Sequence, residues 1–150
     1  MTGSKSLIAA GVALAFLICG SSAWAAAAPG SWTNIAPSTI ARSEVQTAVL
    51  GGKIYVIGGN SFEIERGESV VVNNAGLNEV YDPANNSWTT RAPVPRGANH
   101  TAIAVLDGKI YIAGGFTERR HMNSVDWFYV YDPAQDVWAA LPSLSTPRGS

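Results

Sequence analysis

The residues best suited to chemistry are few. The chain has two histidines, His100 and His121, 21 positions apart. Histidine changes charge near neutral pH and ligates metals, so His100, beside Asn99 at the opening of a short apolar strand, is a candidate to meet a ligand. Glu63, Glu65, Arg66 and Glu68 share one polar stretch, and Glu118, Arg119, Arg120 and His121 share another. Guanidinium groups in such clusters can clasp a carboxylate bidentately, although charges in connecting segments are usually just solvated. The candidate ligand-binding set is therefore Arg96, Asn99, His100, Arg119, Arg120, His121, Glu63 and Arg66. No metal-ligand spacing, Ser-His-Asp order or phosphate-cradling glycine loop accompanies it. No catalytic residue, metal site or cofactor is expected from these residues. Asn85-Asn86-Ser87 and Asn99-His100-Thr101 fit the glycosylation pattern, which matters in a eukaryotic secretory route.

What must position these groups is legible in composition first. The 150 residues carry 10 Lys and Arg against 11 Asp and Glu, 14% are charged and 47% apolar. Disorder needs low hydrophobicity with high net charge, and nucleic-acid binding needs a basic surplus, so both are excluded. Fifteen glycines point to many turns.

Residues 1–25 read as a secretory signal. Lys5 supplies the charged start, Leu7 to Ile18 the apolar run, and Ala23-Trp24-Ala25 a small-x-small cleavage site before Ala26. A membrane anchor would need about 20 unbroken apolar residues, and Cys19-Gly20-Ser21-Ser22 interrupts this run. Lipidation of Cys19 is disfavoured by the bulky Phe16-Leu17-Ile18 before it. Cleavage would remove the single cysteine, so no disulfide is expected. The expected location is secreted or periplasmic, with membrane contact only in transit.

The remaining chain repeats. Gly51-Gly52-Lys53-Ile54-Tyr55-Val56-Ile57-Gly58-Gly59 recurs as Asp107-Gly108-Lys109-Ile110-Tyr111-Ile112-Ala113-Gly114-Gly115, an offset of 56. Val80-Tyr81-Asp82-Pro83-Ala84-Asn85-Asn86-Ser87-Trp88 recurs as Val130-Tyr131-Asp132-Pro133-Ala134-Gln135-Asp136-Val137-Trp138, an offset of 50. Periods of this size mark stacked β-units. Each unit parses into four strands. A small-residue strand is joined by Gly-Gly or Asp-Gly to Ile-Tyr-Val-Ile or Ile-Tyr-Ile-Ala. A third strand is stopped by Tyr-Asp-Pro, and a fourth carries Trp88 or Trp138. The second strand is apolar on both faces, which predicts burial on both.

The glycine pairs Gly58-Gly59 and Gly114-Gly115, with Tyr81, Asp82 and Trp88 and then Tyr131, Asp132 and Trp138, resemble kelch repeats. That resemblance implies an all-β, kelch-type β-propeller with one four-stranded antiparallel blade per repeat and the small-residue strand nearest the channel. Trp32 to Pro37 aligns with Trp88 to Pro93, and Pro147-Arg148-Gly149-Ser150 with Pro95-Arg96-Gly97-Ala98. The expected division is a signal peptide over 1–25, a lone outer strand of a ring-closing blade over 26–37, blades over 38–93 and 94–144, and the opening of a third over 145–150. Four to eight blades close a propeller, so the chain reads as an N-terminal fragment.

In an antiparallel meander, the connections Asn60 to Gly76, Phe116 to Asn123 and Ala92 to Ala98 leave on one face, and function is expected there. The recurring Tyr81, Tyr131, Trp88 and Trp138 are read as packing. Arg42, Arg96 and Arg148 each open an inner strand and are read as brackets on loop carbonyls, in preference to a cationic lining of the channel mouth. The expected activity is binding of a protein or glycan through the long-loop face. By resemblance, the alternative is a carbohydrate-active enzyme, either like periplasmic sialic-acid epimerases or like galactose-oxidase-type copper oxidases with their site in further blades. The oxidases require a cysteine cross-linked to a tyrosine, which the mature span lacks.

Overall fold

The computed structural model describes residues 30–65, 68–73, 76–118 and 121–149, the side chains of 62–73 excepted. The signal-sequence reading of 1–25 lies outside the described residues. Among those described, no helix is long and apolar enough to cross a membrane.

The strands run β1 (Gln46–Leu50), β2 (Lys53–Ile57), β3 (Asn60–Glu65), β4 (Glu68–Asn73), β5 (Asn78–Asp82) and β6 (Ser87–Thr90), then β7 (Ala102–Leu106), β8 (Lys109–Ala113), β9 (Phe116–Glu118), β10 (Met122–Ser124), β11 (Phe128–Asp132) and β12 (Val137–Ala140). They form two antiparallel four-stranded sheets, β1-β2-β5-β6 and β7-β8-β11-β12, which are the two blades. Gly51 and Gly52 at φ of 59° and 74°, and Asp107 and Gly108 at 49° and 73°, take the positive values that a tight hairpin with the right-handed strand twist demands.

The long connections differ from expectation. The segments read as loops are themselves hairpins, β3 against β4 and β9 against β10. In the first, Ser61 pairs with Val72, Glu63 with Val70 and Glu65 with Glu68. Alternating Phe62-Glu63-Ile64-Glu65 and the run Val70-Val71-Val72 have the residue types of strands.

Burial of the second strands is also one-sided rather than two-sided. Ala48, Tyr55 and Val80 share a row across blade 1 and are buried, as is Ile57. Facing them from blade 2 are Ile110, Ile112, Tyr129 and Tyr131 in one common core, with Tyr55 and Tyr131 edge to face at 6.0 Å between centroids. Blade 1 thus uses the face that carries Tyr55, and blade 2 the opposite face of the equivalent strand. Ile54 and Val56 on one blade, and Tyr111 and Ala113 on the other, are left half-buried.

Residues 30–37 form no ladder, yet their end occupies the place that the repeat assigns. The Ala36 amide donates to Asn86 Oδ1 (2.8 Å) and its carbonyl accepts from Trp88 Nε1 (2.7 Å). One blade later, Ala92 does the same with Asp136 Oδ1 (2.9 Å) and Trp138 Nε1 (2.8 Å). Tyr81 donates to Asn86 and stacks on Trp88, and Tyr131 donates to Asp136 and stacks on Trp138. The recurring aromatics are packing elements that tie each outer strand to the segment leading in.

Candidate functional site

At the entry to each inner strand the chain makes one short contact with the end of the second. Ser43 bridges Asn60 and Asn99 bridges Phe116. The glycine pairs make this possible: a side chain on Gly59 would meet the Ser43 carbonyl at 2.6 Å, and one on Gly115 the Asn99 carbonyl at 2.6 Å. Just beyond each bridge the backbone turns through positive φ, at Glu44 (59°) in blade 1 and His100 (53°) in blade 2. These two residues are therefore structural equivalents on neighbouring blades.

The β9–β10 hairpin adds a third group. His121, at φ 58°, stands directly before β10, and its Nε2 lies 3.1 Å from His100 Nε2. His100 Nε2 lies 3.6 Å from Glu44 Oε2. Asn60, itself buried, donates through Nδ2 to the same Glu44 oxygen at 2.7 Å. The Phe116 ring walls one side, 6.3 Å from the His100 ring and 5.4 Å from that of His121. One ligand atom from each of Glu44, His100 and His121 lies within 4.8 Å of the others, at a surface where His100 is half-buried and the other two are exposed.

Sequence spacing did not anticipate this grouping. The separation of 21 positions between the histidines is closed by the hairpin, and the third group comes from the neighbouring blade. Sequence reasoning missed Glu44; the offset of 56 that pairs Ser43 with Asn99 would have set it opposite His100.

Of the three arginines, Arg96 departs from the bracket reading. The bridges place Arg42 opposite Ala98, not Arg96, so Arg96 stands two residues earlier on its blade. Arg42 is a bracket, donating to the Gly58 carbonyl and to Glu79, with side chains 2% and 0% exposed. Glu79 also accepts from the Thr39 hydroxyl. Arg96 instead lies exposed over the Trp127 ring, 4.0 Å from its centroid. Arg148 donates through Nε to the Thr146 carbonyl at 3.2 Å, as a bracket does, and its own carbonyl accepts from Gly115 N at 2.7 Å.

Asn99 is buried by its bridge, with Oδ1 lacking a protein partner. Glu63 is placed on β3 only by its backbone pairing with Val70. Arg66, Arg119 and Arg120 lie outside the described residues.

The opposite face is made of tight turns and ion pairs. Lys53 beside Asp82 and Lys109 beside Asp132 hold both carboxyls below the ordinary range. The Tyr131 hydroxyl and the Ala92 amide do the same for Asp136, while burial pushes Tyr131 up.

Comparison with known proteins follows the same outline. The Kelch motif family matches residues 98–145. Kelch-like protein terF of Aspergillus terreus is 33% identical over 127 residues, 80% of this chain and 27% of that protein. Alpha-scruin of Limulus polyphemus is 31% identical over 78% of the chain and 12% of its own length. Kelch-like protein 36 of Mus musculus is 34% identical over 75% and 18%. The solved structure of YjhT superposes with a TM-score of 0.62 at 19% identity, covering 77% of this chain and 42% of that one. The chain thus spans about a quarter or less of these relatives by sequence.

Proposed function

Because the chain belongs to the kelch-repeat proteins and forms propeller blades, we propose that it works as a protein-binding module through the face that carries β3–β4 and β9–β10. One observation carries this reading. Both blades spend their extra length on the same connection and build it as a hairpin, whereas the described residues of the opposite face form the short turns at Gly51-Gly52, Asp107-Gly108 and the two Asp-Pro sites. A hairpin arm presents side chains from a defined backbone, and its free edge can pair with an extended partner segment.

The test is to replace residues 62–71 by Asn-Gly, which joins the paired Ser61 and Val72 through a two-residue turn. In-cell cross-linking of the intact protein should then lose partners that wild type retains, while Asn85→Ala and Gln135→Ala on the turn face keep them. An unchanged partner set in the shortened variant would move the surface elsewhere. A ligand that survives protease digestion of the extract would be a glycan.

We place this surface outside the cytoplasm on the strength of Lys5, the apolar run 7–18 and Ala23-Trp24-Ala25. N-terminal sequencing of the natural protein should read Ala26 first, and Met1 would overturn it.

A further inference from the structure

We propose that Glu44, His100 and His121 form a binding site for one divalent transition-metal ion of the Zn²⁺ type. Such an ion would staple the entry of blade 1 to the β9–β10 hairpin of blade 2.

The donor set has the right chemistry. Two imidazoles and a carboxylate suit Zn²⁺, and three protein ligands leave a coordination position for water or a further group. Distances agree. Bonds of about 2.0–2.1 Å in a tetrahedron set neighbouring ligand atoms about 3.3 Å apart. The two measured edges fall on either side of that value: 3.1 Å between the Nε2 atoms and 3.6 Å from His100 Nε2 to Glu44 Oε2. Glu44, its side chain 39% exposed, keeps the third edge within 4.8 Å.

One feature beyond the ligands favours a site over chance proximity. Asn60 is only 7% exposed and spends its amide on Glu44 Oε2, the kind of outer hydrogen bond that orients a ligating carboxylate. The equivalence of Glu44 and His100 explains how the set arises: the same bend on adjacent blades points both residues to the shared entrance, and the hairpin of the second blade delivers the third ligand.

Bound there, the ion would replace the contact between the imidazoles with two metal–nitrogen bonds. It would couple blade 1 to blade 2 at the long-loop face. The open position would point to solvent on the face that we assign to binding, although the site does not depend on that assignment.

The experiment is Zn²⁺ titration of the intact, chelator-treated protein by calorimetry, with Co²⁺ absorption as a second readout. Wild type should take up one ion per chain saturably and show the visible bands of Co²⁺ with nitrogen ligands. His100→Ala and His121→Ala should each weaken binding by more than about 100-fold, and Asn60→Ala by about 10- to 100-fold, the loss usual for an outer partner. Glu44→Gln should weaken binding and change the Co²⁺ spectrum. Near-ultraviolet circular dichroism of the apo variants should match wild type, which separates lost binding from lost fold. No saturable uptake by wild type, or the same affinity in both histidine variants as in wild type, would overturn the site.

Discussion

Arg42 and Glu79 meet where water does not reach, and the pair persists because each charge is further satisfied, Arg42 by the Gly58 carbonyl and Glu79 by Thr39. Removing one partner strands the other in low dielectric, a loss of about 3–5 kcal/mol. Arg42→Ala should therefore destabilise the intact protein by about that amount in urea unfolding. Arg96→Ala should lose only the about 0.5–1 kcal/mol of an exposed cation–π contact. Equal losses would restore a bracket role to Arg96. The recurrence of arginine before each inner strand was legible, and so was the bracket role of Arg42 and Arg148, but the departure of Arg96 was not. Pro-Arg-Gly aligns Arg96 with Arg148 by type, whereas the backbone bridges align Ser43 with Asn99 and so shift Arg42 out of the series. Side-chain role follows the ladder, and the ladder is set by which backbone groups pair.

At the scale of elements, the tight turns and the glycine pairs were the most legible features because their requirements are local. Gly51 is matched by Asp107, which takes φ 49° without a glycine, so Gly51→Asp should change stability by no more than about 0.5 kcal/mol. Gly115 is different. It holds φ 108° and faces the Asn99 carbonyl, Ala98 Cβ and Thr101 Cγ2, all within 3 Å of where a Cβ would stand. Gly115→Ala should lose at least about 1–3 kcal/mol, the scale of local backbone strain, and a thermal melt indistinguishable from wild type would contradict this contact. Because Asn99 precedes His100, the same substitution should disturb the proposed metal site before it unfolds the blade. The hairpins escaped the reading for a complementary reason. Glu63, Glu65, Arg66 and Glu68 are polar enough to look like loop, and β-pairing between short segments depends on register that charge counts do not reveal. The cluster went unseen with them, since His121 is set beside His100 by the pairing of β9 with β10.

Across the whole molecule, the one-sided burial of two-sided strands sets out how blades stack. Ala48 and Tyr55 are buried at 7% and 4% against blade 2, while their equivalents Ala104 and Tyr111 stand at an apolar groove with Leu106, Ala113 and Phe128. Each blade thus offers one face to the blade before and the other to the blade after, and a strand apolar on both sides is what that sandwiching needs. The doubly apolar pattern of Ile110-Tyr111-Ile112-Ala113 was legible in sequence; which face a given neighbour covers was not, because both faces look alike in composition. The consequence can be measured on Tyr55 and Tyr111 as a pair. Truncating a buried aromatic costs about 3–5 kcal/mol, so Tyr55→Ala should show that loss in urea unfolding. Tyr111→Ala, at the open groove, should lie within about 0.5 kcal/mol of wild type and should reduce the self-association that an open apolar face promotes, read by light scattering. A loss at Tyr111 as large as at Tyr55 would mean that this groove is covered, and that the two faces of a blade are not told apart by the burial seen here.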